Sequence, residues 1–153
     1  MRLLRAQGLA PGQVVMTPDA PALDLVEMQH SLARLGAILF PFRAGLERSE
    51  LDALARMTGA EWVWLPDAAR LQRQGHAQSE ADAADAQGIR LMIRTSGSSG
   101  QPRAAMLTAG AILASASAVN RRLGLRRGDV WLSCLRQSHI GGVSIGYRCA
   151  LAG

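Results

Sequence analysis

Short apolar runs alternate with amphipathic stretches along this chain, a rhythm that predicts strands interleaved with helices. Val14–Met16 reads as a first short strand. Pro21 suits the first turn of a helix, and Leu25, Met28, Leu32 and Leu35 recur at helical spacing up to Gly36. "AILFPF" (37–42) is a second strand. Leu51, Leu54 and Ala55 mark a helix over Ser49 to Met57 that Gly59 stops. "EWVWL" (61–65) is a third strand, ended by Pro66. The polar, aperiodic stretch 72–88 predicts a flexible surface loop. "IRLMI" (89–93) gives a fourth strand and "AAML" (104–107) a short return strand. Thr108 suits the N-cap of a helix running to Leu123, with Gly124 as its stop. "DVWLSCL" (129–135) predicts a further strand and Ile140–Ala152 a last helix. The expected fold is α/β, a mostly parallel sheet flanked by helices. Trp62, Trp64 and Trp131 are expected in its core, and His30 and His76 on its surface.

Composition narrows the class. The chain has 153 residues, 48% hydrophobic and 19% charged, as expected of one globular domain. No apolar run approaches the roughly 20 residues of a membrane span. The opening "MRLLRAQGLAPG" lacks the hydrophobic stretch of a secretory signal. Cys134 and Cys149 are too few for a disulfide scaffold and lack metal-site spacing, so a reducing cytoplasm and no metal site are expected. The formal charge is +5, and all 17 basic residues are arginine; there is no lysine. The arginines are scattered and aromatics make up 4%, which argues against a nucleic-acid surface. Arg121, Arg122, Arg126 and Arg127 gather where a helix ends, a place that suits cations.

One stretch carries chemistry: "IRTSGSSGQPRAAMLT", residues 93–108. Gly97 and Gly100 permit positive φ, so successive N–H groups can converge into a nest for anions. Thr95, Ser96, Ser98 and Ser99 add hydroxyl donors, Pro102 stiffens the exit, and Arg103 places a forked cation beside them. A phosphate cup and an ordinary turn both fit this composition. A Walker loop does not, because it needs a lysine, and the G-x-G-x-x-G fingerprint is absent.

Residues 94–106 resemble the phosphate-binding signature of the adenylate-forming (AMP-binding) superfamily, which includes the acyl-CoA synthetases. Thr95, Ser96, Gly97, Ser98, Ser99, Gly100 and Pro102 match its pattern. Arg103 stands where the pattern has lysine, Ala104 where it has glycine, and Arg94 where an apolar or aromatic residue is usual. Residues 5–16 and 32–64 resemble the superfamily's first βα units. "GDVWLSCLRQSHIGGVSIGYRCALAG" (128–153) resembles the region where a histidine follows a strand, with Arg136–Ser138 replacing a usual proline and aromatic. "HIGGVSIGYR" is most similar to the o-succinylbenzoate–CoA ligase branch, which belongs to menaquinone biosynthesis.

The resemblance implies a ligase that joins a small carboxylic acid to coenzyme A through an acyl-adenylate, with ATP and Mg2+. Thr95 to Gly100 and Arg103 would then hold ATP phosphates, while His139, Gly141 and Gly142 would border the acyl pocket, His139 as a catalytic residue. On residues alone, His139 reads equally as a buried, hydrogen-bonded histidine at a turn, and Ser138 as a simple cap. The superfamily's remaining motifs, including its catalytic lysine, would fall beyond Gly153. The chain therefore reads as an incomplete N-terminal AMP-binding domain without its C-terminal domain, inactive alone and prone to aggregate through uncovered sheet edges. Its partners would be the acid and ATP, not a membrane or nucleic acid; the oligomeric state is left open. A non-catalytic anion-binding or scaffolding remnant is the alternative, and a basic nucleic-acid binder a weaker one. Gly142-Val-Ser144-Ile-Gly146 also fits the G-x-S-x-G nucleophile elbow, but no acid or histidine follows Ser144.

Overall fold

Four parallel strands of mostly apolar sequence make the centre of the described sheet, because strands covered on both faces need no polar alternation. The computed structural model describes residues 2–19, 22–74, 88–95 and 103–153. The elements are α1 (Arg2–Ala6), β1 (Val14–Pro18), α2 (Ala22–Leu35), β2 (Ile38–Phe42), α3 (Arg48–Thr58), β3 (Trp62–Leu65), a 3-10 turn (Pro66–Ala68), β4 (Arg70–Arg73), β5 (Ile89–Thr95), β6 (Arg103–Thr108), α4 (Ala109–Leu123) and α5 (Ile140–Ala152). The six strands form one sheet in the order β4-β3-β1-β2-β5-β6. β3, β1, β2 and β5 run parallel, and β4 and β6 close the two edges antiparallel. The expected mostly parallel α/β sheet is the one found.

Alternation along each strand sorts the core into two layers. Val15, Leu39, Trp62 and Leu91 pack with Leu25, Met28 and Leu32 of α2, Ile112 of α4 and Val143 of α5. Met16, Ile38, Phe40 and Val63 face the other way, onto Leu54 and Ala55 of α3. Ile89 and Leu91 lie in different layers although they are two apart, because the β5–β6 register shifts between them.

Helix punctuation follows the sequence closely. Thr108 caps α4 by accepting the Ala111 N–H at 3.2 Å, and Gly124 closes it at φ 66°. Replacing Thr108 with alanine is expected to cost about 1 kcal/mol, read from urea unfolding. α3 starts on a capping box between Glu47 and Glu50 and stops at Gly59, φ 65°.

Two of the expected elements differ. Residues 129–135 form no strand: Val130 is 97% and Leu132 78% exposed, and no described strand runs beside them. Apolar alternation becomes a strand only where a neighbour completes its ladder. Trp131 accordingly lies half-buried under the Arg148 guanidinium, 5.4 Å from its ring centre, rather than in the core. Conversely, the loop expected from 72 begins inside β4, a polar edge strand whose one buried residue is Leu71. Residues 75–87, including His76, lie outside the described residues.

His30 is half-buried, not a free surface residue, and meets Tyr147 of α5 edge-on at 5.8 Å. Beside them Gln29, fully buried, sits against Gly146, where a Cβ would come within 3.0 Å of its Oε1. The small residues of the G-x-S-x-G stretch thus seat α5 on α2. Ser144 lies within the helix and donates to the Gly141 carbonyl at 3.2 Å, so it is no nucleophile elbow. Burial pushes the Tyr147 phenol from 10.0 up to about 12, partly opposed by the Gln29 amide. The fold therefore favours the protonated phenol. Ionisation is penalised more in the folded protein than in the unfolded chain, so stability is unaffected below about pH 10 and falls as pH rises through about 12. Tyr147 is the chain's one tyrosine, so phenolate absorbance reports it alone. Native protein at pH 11 is expected to stay largely unionised, and Tyr147→Phe to lose the alkaline slope in stability.

Candidate functional site

The C-terminal ends of parallel strands are where open α/β sheets hold ligands, and here they border a cleft of about 610 Å³. Phe40 and Phe42 of β2 with Leu46 and Leu54 give it an apolar floor. Arg43, Glu50, Arg94, Thr95, Arg136 and His139 give it a polar rim.

Asp19, just past the tip of β1, ties the walls together. Its N–H donates to the Phe42 carbonyl at 2.9 Å. Its Oδ1 accepts the Ala44 N–H at 3.0 Å, and its Oδ2 accepts the Ser138 hydroxyl at 2.6 Å. One carboxylate thus couples the turn after β2 to the turn before α5. Ser138 is used there and does not cap the helix.

The turn before α5 is tight. The His139 N–H donates to the Arg136 carbonyl at 3.1 Å, and the His139 carbonyl accepts from Gly142 and Val143. His139 is the N-cap residue, extended at φ −114° and ψ 152°, so its backbone starts the helix while its side chain stays out. The imidazole is exposed and has no hydrogen-bond partner among the described residues. The reading of His139 as a buried, bonded histidine is therefore set aside.

The predicted site residues fall as follows. Thr95 ends β5 on the cleft, and its hydroxyl donates to the Arg103 carbonyl at 3.2 Å. Arg103 opens β6 directly across from Thr95 and is exposed. Ser96, Gly97, Ser98, Ser99 and Gly100 lie outside the described residues. Gly141 lines a second, mostly apolar pocket of about 210 Å³ between α4, α5 and the sheet. Gly142 is buried beneath the turn, where a Cβ would stand 2.1 Å from the Arg136 carbonyl oxygen. Arg43, Arg94, Arg136 and Asp19 were not predicted as site residues. Among the described residues no group of three His, Cys, Asp or Glu side chains gathers to hold a metal.

The profile of the family described as AMP-binding enzyme matches residues 64–153, more than half of the chain. The chain belongs to the AMP-binding enzymes. A curated relative of this AMP-binding chain, the 2-succinylbenzoate–CoA ligase of Bacillus thuringiensis subsp. konkukian, is 30% identical over 152 residues. That alignment covers 90% of the chain and 31% of the relative, so the chain spans about a third of the length of the curated relatives it matches. An E. coli MenE variant with bound OSB-AMS superposes at TM-score 0.76 with 25% identity, over 99% of this chain and 35% of that one. The Bacillus subtilis o-succinylbenzoate coenzyme A synthetase, in complex with ATP and magnesium, gives TM-score 0.76 at 19% identity, over 99% and 45%. Both similarities span the whole described sheet, which is the fold of this family's N-terminal portion.

Proposed function

We propose that this AMP-binding chain is the N-terminal part of an ATP-dependent carboxylate–CoA ligase, with a 2-succinylbenzoate-like acid as its substrate. The observation that carries the reading is that Thr95, from the signature loop, and His139 line one cleft at the strand tips. In this reading the loop from Thr95 to Gly100 and Arg103 hold the phosphates of ATP, and His139 borders the reacting carboxylate. The apolar floor excludes water from the developing acyl-adenylate and strengthens every charge contact there. Coenzyme A thiol then displaces AMP to form the thioester.

The cleft suits a phosphate ligand in charge: three guanidiniums face one carboxylate, Glu50. With no cluster of carboxylates among the described residues to grip it, magnesium would be held chiefly by phosphate oxygens and water, as that ion prefers. When bound it neutralises charge on the phosphates. Arg103 in the lysine's place keeps the cation but replaces a point charge with a planar fork.

The outward apolar run at 129–135 supports the domain reading, because Val130 and Leu132 suit a further strand of a larger sheet. No helix among the described residues is long and apolar enough to cross a membrane, and the reading carries a cytoplasmic location. Mg-ATP at 100 times its dissociation constant is expected to stabilise the chain by about 2.7 kcal/mol, measured as a shift in thermal unfolding. No shift at millimolar Mg-ATP overturns the reading. The 153 residues alone are expected to show no ATP–pyrophosphate exchange with 2-succinylbenzoate or a panel of acids, because they contain no lysine to steady the attacking carboxylate. Arginine at position 103, where the signature has lysine, favours a second reading, a non-catalytic anion binder. It predicts the ATP shift too, but no exchange even when the chain is extended to the relatives' full length.

A further inference from the structure

Three segments far apart in sequence each bring one arginine to the cleft: Arg43 after β2, Arg94 on β5 and Arg136 before α5. All three are exposed, and none has an ion-pair partner or a hydrogen-bonded side chain among the described residues. Glu50, the carboxylate on the same rim, accepts the Glu47 N–H at 3.0 Å and closes the cap of α3. Asp19 makes no ion pair with the guanidiniums; its two oxygens accept from Ala44 and Ser138. Those two bonds hold the segments that carry Arg43 and Arg136 to one anchor. Like charges gathered around a cleft repel, and with one carboxylate against three guanidiniums an anion bound among them relieves that repulsion.

We propose that Arg43, Arg94 and Arg136 form a polyphosphate-gripping site, with inorganic pyrophosphate as its smallest ligand. Each guanidinium is a planar fork of donors that matches two oxygens of one phosphate. A single carboxylate satisfies one fork; a pyrophosphate turns oxygens toward several at once. The proposal rests on the ligase reading for its biology, where pyrophosphate is the group that leaves ATP. It assigns the grip to three side chains outside the signature loop.

Calorimetric titration of the 153-residue chain with pyrophosphate, in magnesium-free buffer of fixed salt, tests this. Arg94→Gln and Arg136→Gln are each expected to weaken binding by at least about tenfold, and the double variant by about a hundredfold. Circular dichroism is expected to show all of them folded, because these side chains are exposed and unbonded. Arg103→Gln separates the two ideas. If it abolishes the ATP shift while the cleft variants bind pyrophosphate normally, the arginine site is wrong and the ligase reading stands. If the cleft variants lose pyrophosphate but wild type gains nothing from ATP, the site stands and the ligase reading falls. Sulfate binding as tightly as pyrophosphate, or succinate binding more tightly, also overturns the proposal.

Discussion

Gly142→Ala is expected to lower stability by about 3 kcal/mol or more, near or above the upper end of what overpacking a core costs. The new methyl would lie 2.1 Å from the Arg136 carbonyl oxygen and 2.9 Å from that of Leu135. Both obstacles are backbone, so no rotamer change relieves them. The turn must lift or α5 must shift, and the His139 carbonyl that receives the first two helical N–H groups moves with it. Gly141→Ala is the control. Its methyl would meet only the tip of Leu135, at 3.2 Å, which can swing aside. Urea unfolding of the pair is expected to show a midpoint loss several times larger at 142. Equal midpoints would mean that the turn is not packed on the helix as described.

Asp19→Ala is expected to cost about 3 kcal/mol, since two hydrogen bonds to one carboxylate vanish and each is worth about 1.5–3 kcal/mol when charged. Asp19 is half-buried, which keeps the sum toward the lower end. The larger consequence is geometric. Without the anchor, the turn carrying Ala44 and the turn carrying Ser138 lose their connection at the β1 tip, and the cleft widens. Hydrogen exchange at the Ala44 N–H is expected to accelerate sharply, while exchange in the centre of the sheet stays slow. Asp19→Asn retains an acceptor for Ala44 and a polar partner for Ser138, so it is expected to lose much less. If alanine and asparagine behave alike, the carboxylate does not couple the two turns.

The sequence foretold elements whose signals are local. Thr108 and Gly124 bracket α4 because a cap and a left-handed stop act within one turn of chain. The strands of the sheet centre were legible because runs such as "ILFPF" are apolar throughout. The pattern failed where pairing decides. Residues 129–135 have a strand's alternation without a described neighbour, and Arg70–Arg73 is a strand although polar, because β3 offers it a ladder. The site divides in the same way. Thr95 and His139 stood out through motif resemblance, and the cleft brings them together. Asp19 and Arg43 were invisible because their roles arise only when β1, β2 and the turn before α5 meet. Arg94 and Arg136 did leave a trace: each replaces a residue the family usually has there.

A rim whose permanent cations are all guanidiniums has a chemical personality that ammonium groups would not give it. Its positive field persists through mildly alkaline solution, where amines begin to discharge. Acylating reagents and acetyltransferases find no side-chain amine to modify in these 153 residues. Dicarbonyl reagents such as phenylglyoxal, which react with guanidinium groups, are the covalent probes suited to this cleft.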